Sequence, residues 1–185
     1  MGDSFQSLVL PETRPINASA IAAQMLGWLI AKGIGTDAGS SDEASKPDLG
    51  PGPRAEEILA TMVTGWRDVA FTPIRVDAGR LTTAAMQDGL GPVVCPACES
   101  PMGTADDLPP SFMRAVEEWQ SGQEGVLACP ACGTATPITK WRTEPYWAFG
   151  NVTITFWNWP PIRDSFAREV ELAAGEPVKV VRGKL

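Results

Sequence analysis

Apolar residues fall along this chain in short runs with two periods. Residues 5–10 form a brief apolar run of strand character, closed by Pro11 and Pro15. Ile21, Met25, Trp28 and Leu29 then repeat at helical spacing. Asn17 or Ser19 can cap that helix, and Gly33 stands where a helix ends, so a helix is expected to about Lys32. Residues 35–53 are rich in Gly, Ser, Asp and Pro and read as a flexible loop. Pro53 can open a short helix through about Val63, with Ile58, Leu59 and Met62 on its apolar side. Val69, Phe71, Ile74 and Val76 suggest a strand, with Pro73 forcing a bulge or an edge.

The clearest alternation comes late. Val152, Ile154 and Phe156 interleave with Thr153, Thr155 and Trp157, the pattern of a half-buried strand. Pro160-Pro161 stops it. Ile162, Phe166, Val170 and Ala173 share one helical face, Gly175 ends that helix, and Val178, Val180 and Val181 make a last strand.

Between the second and third of these strands lies a segment of different character. Without it the order is strand, helix, strand, strand, helix, strand. That order predicts an α+β protein with a ferredoxin-like βαββαβ sheet and helices on one face. Residues 1–90 and 143–185 are then the two halves of the body. Residues 91–142 form an inserted, zinc-ribbon-like lobe.

The lobe carries the chemistry. Cys95-Pro96-Ala97-Cys98 is answered by Cys129-Pro130-Ala131-Cys132, and the chain has no other cysteine. Two CxxC turns supply the four soft thiolates of a tetrahedral Zn²⁺ site. Pro96 and Pro130 fix φ in each turn. Gly133 follows Cys132 and can take φ > 0, whereas Glu99 follows Cys98 and makes the first turn less ideal. Roughly thirty residues separate the pairs, against about 15–20 in the shortest double-CxxC pattern. A helix over residues 109–120 fits that interval. A redox dithiol or an iron–sulfur centre are the competing uses of these cysteines, and two identical pairs favour structural zinc. Such a site has no open position for substrate, and its binding energy is folding energy, on the order of 10 kcal/mol.

Composition narrows the function further. None of the 185 residues is histidine. Nucleophile systems that use histidine as base, and zinc sites that need His₃ or His₂Glu, are therefore excluded. Asp106-Asp107 and Glu117-Glu118 are adjacent pairs whose side chains diverge, so they offer no spaced acid–base motif. No apolar run reaches the roughly 18 residues of a membrane span, and the first residues lack signal-peptide character. Metal-spaced thiols without an export signal point to the cytoplasm. The net charge is −7, and the acids concentrate between Asp88 and Glu124, where Arg114 is the lone base. Solvated surface accounts for such a run, and a lobe that docks on a basic partner is the sharper reading.

Aromatic residues cluster beside the lobe. Trp147, Trp157 and Trp159, with Trp141, Tyr146, Phe149 and Phe156, fall within about twenty residues. Trp147, Trp157 and Trp159 are the candidate binding surface, set against packing of the sheet as the alternative. Residues 147–154 also match part of the third-strand signature of RNA-recognition domains, at Phe149, Gly150 and Val152. The missing basic residue and the negative net charge argue against nucleic acid.

The two CPxC knuckles together with Trp147-Ala148-Phe149-Gly150-Asn151 and Phe156-Trp157-Asn158-Trp159-Pro160-Pro161, ending in Arg182-Gly183-Lys184-Leu185, resemble a set of uncharacterised bacterial proteins. The similarity spans the second half of the chain. It implies a bacterial cytosolic origin and brings no activity. The expectation is a non-catalytic, zinc-stabilised binding or adaptor protein that contacts a protein partner. A small enzyme using carboxylates in a cleft between body and lobe is the alternative from another class, and nucleic-acid binding is the third.

Overall fold

The strongest alternating segment becomes the centre of the sheet. The computed structural model describes residues 3–37, 48–69, 72–84, 92–103, 108–143 and 147–184. Strand β10 (Trp147–Trp157) runs between β1 (Ser4–Leu10) and β4 (Ile74–Ala84), antiparallel to both. β11 (Lys179–Lys184) pairs with the other side of β1. A small hairpin, β2 (Gly35–Asp37) and β3 (Leu49–Pro51), extends the sheet beyond β4. The order of this curled antiparallel sheet is β11-β1-β10-β4-β3-β2. Three helices accompany it among the described residues: α1 (Ala18–Ala31), α2 (Pro110–Gln120) and α3 (Asp164–Ala174).

One face of the sheet is covered by α1 and α3. Ile154 and Phe156 of β10 pack there with Met25 and Leu29 of α1 and Phe166 and Val170 of α3. Gln24 of α1 and Lys32 just after it reach the Ala173 carbonyl and Glu169 of α3, which holds the helices side by side. Lys32 and Arg163 beside Glu169 keep its carboxyl below the usual range.

β10 was expected to be half-buried, yet it is buried on both faces. The sheet curls, so Phe5, Val9, Ala148 and Val181 gather on the face without helices. On that face the buried Ser7 Oγ and Thr155 Oγ1 pair across strands at 2.9 Å. The register slips between Gly150 and Val152, where β4 carries one residue more than β10. Gly79, with φ +126°, sits in that slip.

The run from Phe156 to Pro161 is a structural corner. Asn158 takes φ 57°, which asparagine tolerates, and its side chain accepts from the Ser4 amide at 2.8 Å. The buried Gln6 amide donates to the Trp159 and Pro160 carbonyls at 3.1 and 2.9 Å and accepts from Ile162 N–H at 2.9 Å. One side chain of β1 thereby satisfies the turn that leads into α3.

Two local expectations need correction. The helix expected from Pro53 is a single 3₁₀ turn, Ala55–Ile58. Leu59 then bridges Ile162 and Met62 is exposed, so no helical apolar face forms. The ends of the loop expected over 35–53 pair as the β2–β3 hairpin, because Leu49 drops into the core beside Ile74. The middle of that loop, 38–47, lies outside the described residues, as does Phe71.

Close approach of β10 to β1 makes Gly150 irreplaceable. A Cβ there would stand 2.4 Å from Val9 Cγ1 and 2.8 Å from the Leu10 carbonyl oxygen. Gly150→Ala is expected to cost about 1–3 kcal/mol in urea unfolding. An unchanged unfolding midpoint would contradict this packing.

Candidate metal centre

Each cysteine pair is the turn of a short hairpin. β5 (Val93–Val94) leads into Cys95, and β6 (Pro101–Met102) leaves the turn. β7 (Val126–Ala128) leads into Cys129, and β8 (Ala135–Pro137) leaves it. The two turns share one hydrogen-bond plan. Cys95 N–H donates to the Ser100 carbonyl at 3.1 Å and Cys129 N–H to the Thr134 carbonyl at 2.9 Å. Glu99 N–H returns to the Cys95 carbonyl at 3.0 Å and Gly133 N–H to the Cys129 carbonyl at 2.8 Å. Both turns need a left-handed residue at the same place, so Glu99 takes φ 60° where Gly133 takes 72°.

α2 and the strand β9 (Arg142–Thr143) complete the lobe. Phe112, Ala115, Val116 and Trp119 of α2 form its core with Val93, Leu127 and Ile138. The helix expected over 109–120 is therefore present and lies between the knuckles. Trp119 meets Phe149 edge-on at 5.2 Å, and Phe112 meets Trp147 at 5.5 Å, so β10 is shared by lobe and body. From β4, Arg80 donates to the Trp119 carbonyl at 2.9 Å.

The four sulfurs converge. All lie within 4.8 Å of one another. Cys95 Sγ is 4.0 Å from Cys132 Sγ, and Cys98 Sγ is 3.7 Å from Cys129 Sγ. A regular tetrahedron with metal–sulfur bonds of about 2.3 Å has edges of about 3.8 Å. The sulfur positions fit a bound metal ion and are too far apart for disulfides, whose bond is about 2.05 Å. Cys95 and Cys129 are buried beside the lobe core, and Cys98 and Cys132 face outward.

Local donors already favour thiolates on the outer side. Ser100, through side chain and backbone, brings the Cys98 thiol down to about 6. Thr134 does the same for Cys132, which is lowered. Cys129 behaves differently. The Cys132 backbone N–H favours its thiolate, but burial and the sulfurs of Cys95 and Cys132 together push it up to about 11. A cation is what lets all four ionise at once.

The aromatic candidates separate in space. Trp159 is buried at 4% exposure, lies 4.7 Å from the Trp66 ring and donates to the Thr72 carbonyl at 3.0 Å. It packs the body and is removed from any docking surface. Trp157 is half-buried against Phe5 at 5.6 Å. Trp147 is half-buried where lobe and body meet. Phe149, Gly150 and Val152, which match the RNA-recognition signature, face the lobe core, β1 and the helices, so no base can stack on them.

Sequence reasoning passed over Ser100 and Thr134. Both stand five residues after the first cysteine of their pair, a repeat visible in Cys-Pro-Ala-Cys-Glu-Ser and Cys-Pro-Ala-Cys-Gly-Thr. It also passed over Arg142 and Lys179, which flank a cleft between lobe and body with Trp141 and Trp147. No carboxylate lines that cleft among the described residues. Glu56, Glu57 and Glu169, whose carboxyls depart from the ordinary range, are all held below it by basic partners. No protein-family model, curated protein or solved structure matches this chain.

Two measurements follow from the knuckle geometry. Glu99→Gly relieves a left-handed residue and is expected to stabilise the metal-loaded protein by up to about 1 kcal/mol, while Gly133→Ala destabilises it by about 1 kcal/mol. Thermal unfolding with effects of the opposite sign would contradict the shared turn. Metal affinity should fall as pH drops from 8, because Cys129, pushed up to about 11, must release its proton to bind, and more steeply below about 6, where protons also compete for Cys98. The sign follows from the metal binding thiolate alone. Competition titration between pH 5 and 8 checks it, and a flat profile would contradict thiolate ligation.

Proposed function

We propose that this protein is a non-catalytic binding or adaptor protein whose lobe is held by one structural Zn²⁺. The observation that carries this is the convergence of four cysteine sulfurs at tetrahedral spacing. An all-sulfur set suits Zn²⁺, and with four protein ligands no position is left for water or substrate. The two matching hairpin turns and their left-handed residues support a zinc-ribbon-like lobe. The four main strands β1, β4, β10 and β11 support a ferredoxin-like body, since they stand in the spatial order fourth, first, third, second.

The partner in this reading is a protein, met through the exposed side of the lobe. Glu117 and Met113 stand one turn apart on α2, and both are exposed. Glu99 and Glu118 are partly neutralised by Arg142 and Arg114 at 3.2 and 3.8 Å. The acidic excess is thus smaller than the run from Asp88 to Glu124 suggests. Asp88, Asp106 and Asp107 lie outside the described residues. A reducing, cytoplasmic setting belongs to the same proposal, because the thiolates must stay free to bind metal. Among the described residues no helix is long and apolar enough to cross a membrane.

The test is metal content together with capture. Purified under reducing conditions, the protein should hold about one zinc per chain. A strong chelator should unfold the lobe and abolish capture of a protein partner from the source cell, and added Zn²⁺ should restore both. Protein that holds no metal, or that keeps its lobe folded and its partner bound after chelation, would contradict the proposal.

A further inference from the structure

The cleft between lobe and body has a volume of about 470 Å³, within the range of about 300–1,000 Å³ usual for small-molecule sites. It lies where two sheets end side by side. β9 is the last strand of the lobe sheet β6-β5-β9, and β11 is the last strand of the body sheet. Edge strands carry main-chain donors and acceptors that no neighbouring strand uses. Trp141 and Trp147 form the lobe-side wall, and Val178 and Val180 form the body-side wall.

Its charge runs against that of the whole chain. The protein carries a net −7, yet the charged side chains lining the cleft among the described residues are Arg142 and Lys179. Arg142 meets Glu99 at 3.2 Å in an exposed pair, which an incoming anion can replace at little cost. Lys179 makes no ion pair among the described residues, and its side chain is exposed. The segment that joins Thr143 to Trp147 lies outside the described residues.

We infer that this cleft binds a small organic anion with a planar aromatic body. Rings of that kind lie against the half-buried indole of Trp147, which offers apolar area with few torsions to freeze. A carboxylate, sulfonate or phosphate on the ring edge meets the guanidinium of Arg142 and the ammonium of Lys179 in charge-assisted hydrogen bonds. The volume admits a ligand of two or three fused or linked rings. The same cleft lacks a carboxylate base among the described residues, so the inference is of binding rather than turnover. It is independent of the protein partner and of the metal's identity.

The experiment uses the whole metal-loaded protein and two probes of matched ring structure. 8-Anilinonaphthalene-1-sulfonate carries the anion, and N-phenyl-1-naphthylamine lacks it. The sulfonate should bind saturably with one site per chain, and the uncharged probe about tenfold more weakly or worse. Arg142→Ala with Lys179→Ala should weaken the sulfonate at least about tenfold while leaving the unfolding temperature and metal content unchanged. Trp147→Ala should weaken both probes. The inference is overturned by absence of saturable sulfonate binding, by equal affinity for the two probes, or by undiminished binding in the folded double variant.

Discussion

Four sulfur atoms drawn to one point are the constraint on which the lobe depends. Its β-structure is slight: β5 and β6 pair over two residues, β7 and β8 over three. Hairpins this short are not stable alone in water. What joins them is the shared core under α2 and the convergence of Cys95, Cys98, Cys129 and Cys132. Left to themselves three of these groups conflict, since Cys98 and Cys132 are drawn toward thiolate while Cys129 is pushed toward thiol. A divalent cation held by the four sulfurs would remove that conflict and make its binding part of folding.

The body rests on different physics. Its sheet is anchored by β10, which pairs with β1 on one side and β4 on the other and is buried on both faces. Aromatic packing of Phe156, Trp159, Trp66 and Phe166 under the helices supplies the apolar core. Body and lobe meet at the start of the same strand, where Trp147 and Phe149 lie against α2. Arg80, beside the register slip in β4, reaches across to the end of that helix. The cleft between the two parts follows from this arrangement, because the lobe meets the sheet at the paired ends of β4 and β10 and leaves the edges of β9 and β11 facing a gap.

Much of this was legible in the chain. Period-two alternation marked β10, helical spacing of Met25 and Leu29 marked α1, and Gly33 and Gly175 marked the ends of α1 and α3. The paired cysteines announced their own convergence. Burial of the second face of β10 was not legible, because its Thr153 and Thr155 read as solvent-facing and only the curl of the sheet encloses them. Trp159 misled for a related reason: an aromatic beside Pro160 reads as surface until Gln6, far away in sequence, is seen to hold the turn closed. Glu99 was read as making the first turn less ideal, and it takes the same left-handed conformation as Gly133 against its local preference. Tertiary closure of the knuckle overrides it.

X-ray absorption at the zinc K-edge of the purified protein reads the ligand shell itself. A first shell of four sulfur atoms at about 2.3 Å with no oxygen or nitrogen neighbour is expected. A shell containing nitrogen or oxygen, or fewer than four sulfurs, would contradict it.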